Sequence, residues 1–212
     1  MIRIVVYAGA IAVIGAGLVS QGATATPALP FYDSADLTPR WAQSSGHRIA
    51  DFALTTQTGA AITRRDLVGN VHVASFIYTR CAGICPAMVT QLSKVQAAVA
   101  NRNAVLVSYS VTPGEDTPES LAAFGTLRGI DPERWRLVTG DAEQIYSLAR
   151  SSYFADDGRL VAGKSASEQF LHTEKVLLVD QAGHLRGVYN ATLPHEIDKL
   201  LDDLDLLLDT GS

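Results

Sequence analysis

The sequence predicts a three-layer α/β sandwich, and three observations carry that reading. Strand-like and helix-like segments alternate from His47 onward, the chain's two cysteines fall at the first long strand-to-helix junction, and the chain closes with a β-hairpin and a helix. The order βαβα…ββα with a cysteine pair at that junction is the thioredoxin-like layout. An added N-terminal β-hairpin and an extra strand–helix pair after Trp135 elaborate it.

The elements follow in order. Ile49–Thr55 and Ala61–Thr63 flank a Gln57-Thr58-Gly59 turn, which predicts the hairpin. Val71–Thr79 is a β-branched and aromatic run suited to a central strand, and Met88, Leu92, Val95 and Val99 then recur at helical spacing. Val105–Val111 predicts a second buried strand. Thr117 is placed to cap a helix with Pro118 at its first position. Trp135–Val138 predicts a short strand and Asp141–Tyr153 a helix. Val176–Asp180 and Leu185–Tyr189 pair through the Gln181–His184 turn, and Pro194 opens a last helix ending near Leu208. No internal repeat or low-complexity segment is visible.

Before the regular pattern come two other segments. Arg3 is followed by sixteen uncharged residues, Ile4–Val19, and then by Ala23-Thr24-Ala25, a small-x-small cleavage pattern. Since a membrane span needs about 20 apolar residues, residues 1–25 read as a signal peptide cleaved after Ala25 in preference to a retained membrane anchor. Both readings place the domain in an extracytoplasmic compartment, the periplasm of a bacterium, with membrane attachment through residues 4–19 if the segment is kept. Residues 26–45, with Pro27, Pro30 and Pro39, read as an extended arm or linker, and residues 46–212 as the domain. Phe31, Tyr32 and Trp41 would gain from packing on it.

Composition sets limits. The 212 residues carry 22 acidic and 17 basic side chains, a formal charge of −5, and no basic run longer than Arg64-Arg65. A nucleic-acid partner, which requires a basic stripe, is excluded on that ground.

Cys81 and Cys85 form Cys-Ala-Gly-Ile-Cys, followed by Pro86. A disulfide closing so short a loop removes little chain entropy, so a purely structural staple explains the pair poorly. Pro86 suits the first turn of a helix and restricts Cys85, which places Cys85 at or beside the helix N-cap. There the unpaired N–H groups and the helix dipole favour a thiolate, which is both a metal ligand and an exchange nucleophile. Thioredoxin-type carriers have two residues between their cysteines; three leave room for a metal. Two thiolates and one imidazole are a soft set that suits Cu(I) and accepts Cu(II). The third ligand must be a histidine or a methionine, and five histidines compete for it: His47, His72, His172, His184 and His195. Topology prefers His172, just before the strand that runs beside the cysteine loop.

Three segments resemble the Sco/SenC copper proteins of cytochrome c oxidase assembly. They are Phe76-Ile77-Tyr78-Thr79-Arg80-Cys81-Ala82-Gly83-Ile84-Cys85-Pro86, then Ser110-Val111-Thr112-Pro113-Gly114-Glu115-Asp116-Thr117-Pro118-Glu119, then Leu171-His172-Thr173 leading into Val176–Asp180 and Gly183. The resemblance extends from about Leu29 to the C-terminus. It implies copper, as Cu(I) or Cu(II), held by Cys81, Cys85 and His172, and a partner that is an apo-oxidase copper subunit or another copper protein. The chain departs from the family at Leu171, where members often have an acidic residue, at Thr112, where many have aspartate, and at Ala82, where many have proline.

The function expected is copper delivery. The alternative is an extracytoplasmic thiol–disulfide oxidoreductase that uses the same two cysteines on a metalloprotein. Asp116, Glu174 and Lys175 read as ordinary solvated side chains, or else as part of a docking surface.

Overall fold

The computed structural model describes residues 28–41, 46–80, 83, 85–156 and 173–210. Residues 1–25, expected to be a signal peptide or membrane anchor, lie outside them. Among the described residues no helix is long and apolar enough to cross a membrane.

Seven strands form one mixed sheet: β1 (Ala53–Thr56), β2 (Ala61–Thr63), β3 (Val71–Ile77), β4 (Ala104–Ser110), β5 (Trp135–Thr139), β6 (Lys175–Val179) and β7 (Leu185–Asn190). Their spatial order is β2-β1-β5-β4-β3-β6-β7. β3, β4 and β5 are parallel, with Val71 opposite Ala104 and Leu106 opposite Trp135. The two hairpins join antiparallel at either side, β1 on β5 and β6 on β3. Every residue of β3 and β4 is buried, as β-branched strands covered on both faces require.

The helices divide unequally between those faces. α1 (Cys85–Ala98), α2 (Pro118–Arg128) and α4 (Pro194–Thr210) cover one face, where Met88, Leu92, Leu121, Trp135, Leu200 and Leu204 meet the strands. α3 (Ala142–Ser147) covers the other with Ile145, over Phe52, Phe76 and Tyr109. The expected three layers are present, with the hairpin β1–β2 as the N-terminal addition.

Local chemistry sets the boundaries. Thr117 caps α2 by accepting from the Ser120 N–H at 3.3 Å, Pro118 opens it, and Gly129 ends it at φ 68°. The first strand is shorter than Ile49–Thr55, because Ile49 donates its N–H to Gly183 and Ala50 donates to the Ser152 hydroxyl. The helix expected over Asp141–Tyr153 changes character at Leu148. Residues Leu148–Ser152 form a π-turn, closed by the Tyr153 N–H on the Leu148 carbonyl at 2.9 Å. The extra residue in that turn sends Tyr153 into the core.

The described part of the arm packs on the domain. Phe31 and Arg40 exchange backbone bonds, and Tyr32 N–H donates to Leu185 at the edge of β7. The Arg186 guanidinium lies 4.0 Å from the Phe31 ring centroid, donates to the Leu29 and Pro30 carbonyls, and pairs with Asp180 at 3.0 Å. Phe31 and Tyr32 are thus half-buried as expected, whereas Trp41 stays exposed.

Tyr153 hydroxyl lies 3.0 Å from that of Tyr109 and 3.2 Å from Nε2 of His72, all three buried. Burial pushes the His72 imidazole down from 6.5 to about 4, against the opposing pull of Asp180. The folded value is below the unfolded one, so the unfolded chain takes up a proton that the folded chain refuses. The resulting stability is complete above the unfolded value and is lost as pH falls from 6.5 toward 4, by about 3 kcal/mol in all. Urea unfolding across that window should show a smaller loss in His72→Phe than in the wild type; equal slopes would contradict the assignment.

Candidate metal centre

The carboxyl end of β3 is where the cysteine segment leaves the sheet. β3 ends at Ile77, and α1 begins at Cys85, whose side chain is buried at 8% exposure. The helix is fixed by Met88, Val89, Leu92 and Val95, all buried against the sheet. Cys85 therefore occupies the first turn of a helix that cannot shift without opening the core. Ligands in open α/β sheets gather at such strand ends.

β6 begins beside the same edge. It runs antiparallel to β3, with Ser75 opposite Val176, so the chain enters it next to the end of β3. Thr173 is buried there, and its hydroxyl accepts from the Lys175 N–H at 3.1 Å. Cys81 and His172 lie outside the described residues, as do Ala82 and Ile84. What is described is the framework on either side: Tyr78, Thr79, Arg80 and Gly83 about Cys81, and Thr173 after His172.

The other four histidines are engaged elsewhere. His72 sits at the opposite end of β3, about 17 Å from Ile77 at strand rise, bonded to Tyr153. His184 bonds Asp180 through Nδ1 at 3.2 Å and receives the Arg48 Nε–H on Nε2 at 3.1 Å. His47 contacts the Ser152 carbonyl at 2.9 Å and stacks on Phe154. His195 is exposed, with Nε2 3.8 Å from Glu196. Among the described residues no group of three or more His, Cys, Asp or Glu side chains could hold a metal ion.

Sequence reasoning missed one part of this end of the sheet. Asp116, read as a solvated side chain, is buried at 1% exposure. Its Oδ1 accepts from the Thr79 hydroxyl at 2.6 Å, and its Oδ2 accepts from Ser110 at 2.6 Å and Thr112 at 3.1 Å. Thr112, named above as a departure from the family pattern, serves as one of those donors. Its carbonyl in turn accepts the N–H of both Glu115 and Asp116 at 2.9 Å. The i, i+4 spacing of Thr112 and Asp116 was a visible signal, but Thr79 comes from another segment. Glu174, by contrast, is exposed, and Lys175 is half-buried with Nζ 3.5 Å from the Phe154 carbonyl.

A parallel-centred sheet with helices on both faces, and a cysteine opening the first helix after a central strand, defines a thioredoxin-like protein. The SCO1/SenC family pattern matches residues 42–208, and the chain belongs to that family. The SCO1 protein homolog of Bacillus subtilis is 26% identical over 161 residues, 74% of this chain and 81% of that one. A SCO1/SenC family lipoprotein from Bacillus anthracis superposes with a TM-score of 0.67 at 28% identity, covering 77% of this chain and 96% of its own. BsSco, a member of the Sco family of cytochrome c oxidase assembly proteins with a disulfide switch, gives 0.65 at 25% identity, over 77% and 94%. ScoI of Bradyrhizobium japonicum, solved with copper bound, gives 0.60 at 25% identity, over 75% and 98%.

The hydroxyl cage about Asp116 sets a stability expectation. Asp116→Ala leaves one buried and two half-buried hydroxyls without their acceptor and should cost about 2 kcal/mol in urea unfolding. Asp116→Asn keeps the volume and one good acceptor and should cost clearly less; equal losses would argue against the cage.

Proposed function

We propose that this protein is an extracytoplasmic copper chaperone that carries one copper ion on Cys81, Cys85 and His172 and passes it to a copper site of a respiratory oxidase. The observation that carries the reading is Cys85 in the first turn of α1 at the carboxyl end of β3, in a chain of the SCO1/SenC family whose Bradyrhizobium japonicum member was solved with copper. The donor set fits the cargo. Two thiolates and an imidazole are soft ligands of low coordination number, which suit Cu(I) and accept Cu(II). Topology and the family resemblance favour His172 as the imidazole, and His72, His184 and His47 have hydrogen-bond partners of their own.

Transfer follows from that donor set. A copper ion with few ligands is open to attack by the acceptor's own side chains, so each bond to this chain can be replaced in turn. The two cysteine sulfurs leave as thiolates, a form that the start of α1 favours for Cys85. The acceptor is an apo-oxidase copper subunit or another copper protein. The apolar run 4–19 supports export, and the lipoprotein relative from Bacillus anthracis supports a membrane-proximal location.

A second reading is supported by the disulfide switch ascribed to BsSco. In it the Cys81 and Cys85 dithiol reduces an acceptor disulfide, ending as a Cys81–Cys85 disulfide while the acceptor gains two thiols. Both readings use the same cysteines, and His172 separates them.

Anaerobic copper titration of the reduced Thr26–Ser212 chain should give one tight ion per chain. Cys81→Ser and Cys85→Ser should abolish tight binding, and His172→Ala should weaken it by at least about tenfold. Wild-type protein that retains no copper yet exchanges thiols with a disulfide peptide would reject delivery and leave the oxidoreductase.

A further inference from the structure

Between the arm, β7 and α4 lies a cavity of about 260 Å³. Its walls hold three aromatic rings, Tyr32 and Trp41 from the arm and Tyr189 from β7, and three charged groups of α4, Glu196, Lys199 and Asp203. Aromatic walls with a few placed polar groups are the make-up of a small-molecule site. The wall formed by the arm is fixed in place. The Tyr32 N–H donates to the Leu185 carbonyl at 3.0 Å, and the Arg186 guanidinium donates to the Leu29 and Pro30 carbonyls. Tyr189 can turn along β7 because position 187 is glycine; a Cβ there would collide with the Tyr189 hydroxyl. Trp41 is 72% exposed, and an indole so open gains from an apolar or cationic group laid on it.

Asp203 is the polar centre of the cavity. It is 7% exposed, and both donors that reach it use one oxygen: the Tyr189 hydroxyl at 2.7 Å and the Lys199 ammonium at 2.6 Å bond Oδ2. Oδ1 accepts from no described residue. A buried carboxylate oxygen without a donor is costly, and a cationic donor satisfies it best. Burial, and then the bond to Asp203, push the Tyr189 phenol well up, so it remains a donor. Lys199 enters from the rim, with its side chain 63% exposed and Nζ 6.0 Å from the Tyr189 ring centroid. The chain's own ammonium thus shows which charge this corner accepts. With histidine neutral, that ammonium does not balance the two carboxylates Glu196 and Asp203, since Arg186 is already matched by Asp180 at 3.0 Å. One negative charge is left in excess beside three aromatic rings, where an organic cation gains both Coulombic and cation–π attraction.

We infer that this cavity binds a small organic cation, a primary ammonium carried on an apolar or aromatic body, with the ammonium donating to Oδ1 of Asp203 and the body lying among Tyr32, Trp41 and Tyr189. A neutral molecule of the same shape makes the apolar contacts but brings Oδ1 no cationic donor. An anion of that shape meets the excess negative charge. The inference does not rest on the copper reading, since none of these residues is a proposed copper ligand.

The test is calorimetric titration of the metal-free full chain with phenethylamine, 2-phenylethanol and 3-phenylpropionate, one shape in three charge states. Phenethylamine should bind once per chain, 2-phenylethanol at least about tenfold more weakly, and 3-phenylpropionate not at all. Asp203→Asn should weaken phenethylamine by at least about tenfold and leave 2-phenylethanol unchanged. Trp41→Ala, at an exposed position, should weaken phenethylamine about threefold. Lys199→Met should act in the opposite direction and tighten it, because the competing ammonium is gone; the sign of that effect decides the matter if Asp203→Asn does not fold. Equal affinity for the amine and the alcohol, no binding of the amine, or an amine affinity that fails to rise in Lys199→Met would overturn the inference. The cavity would then be a water-filled cleft beneath the arm.

Discussion

Burial of β3 on both faces is the constraint from which the site follows. A strand covered by α1 and α4 on one side and by the aromatic cluster of Phe76, Tyr109 and Tyr153 on the other has no solvent face on which to carry chemistry. Reactive groups can be presented only where it ends. At that end the chain must cross to α1, and Cys85 is placed by the first turn of a helix whose buried stripe fixes its axis. The parallel neighbour β4 ends at the same level, which brings Ser110, Thr112 and Asp116 to the cysteine side of the sheet.

Two buried polar systems then serve different ends of β3. At the far end His72, Tyr109 and Tyr153 form a chain of side-chain contacts in an apolar layer, with His72 held neutral and the tyrosine hydroxyls pushed upward by burial. That group lies in the core, at the end of β3 away from Cys85. At the near end Asp116 accepts three hydroxyls, and one of them belongs to the segment that leads to Cys81. A buried carboxylate so satisfied is held in place by its three donors.

Much of this was legible in the sequence because it rests on local patterns. The β-branched runs Val71–Thr79 and Val105–Val111 read as buried strands, observed at Val71–Ile77 and Ala104–Ser110, the spacing of Met88, Leu92, Val95 and Val99 as the inner face of α1, and Thr117-Pro118 as the start of α2. Cys85 fell at the helix start because Pro86 follows it. The parts not legible depend on contacts between distant segments. The π-turn at Leu148–Ser152 answers to Ala50 and His47, about a hundred residues earlier in the chain. Asp116 looked like a surface residue since two of its three donors, Thr79 and Ser110, come from the ends of β3 and β4, and only the sheet brings those ends together. The packing of Phe31 on Arg186 is of the same kind.

The central claim is a single metal centre built from Cys81, Cys85 and His172 at the carboxyl edge of β3. X-ray absorption at the copper edge, on the loaded protein and on His172→Ala, addresses it most directly. The account predicts two sulfur scatterers with an imidazole pattern in the wild type, and loss of the imidazole pattern with both sulfurs kept in the variant. A wild-type spectrum with one sulfur or none, or an imidazole signal that persists in His172→Ala, would contradict it.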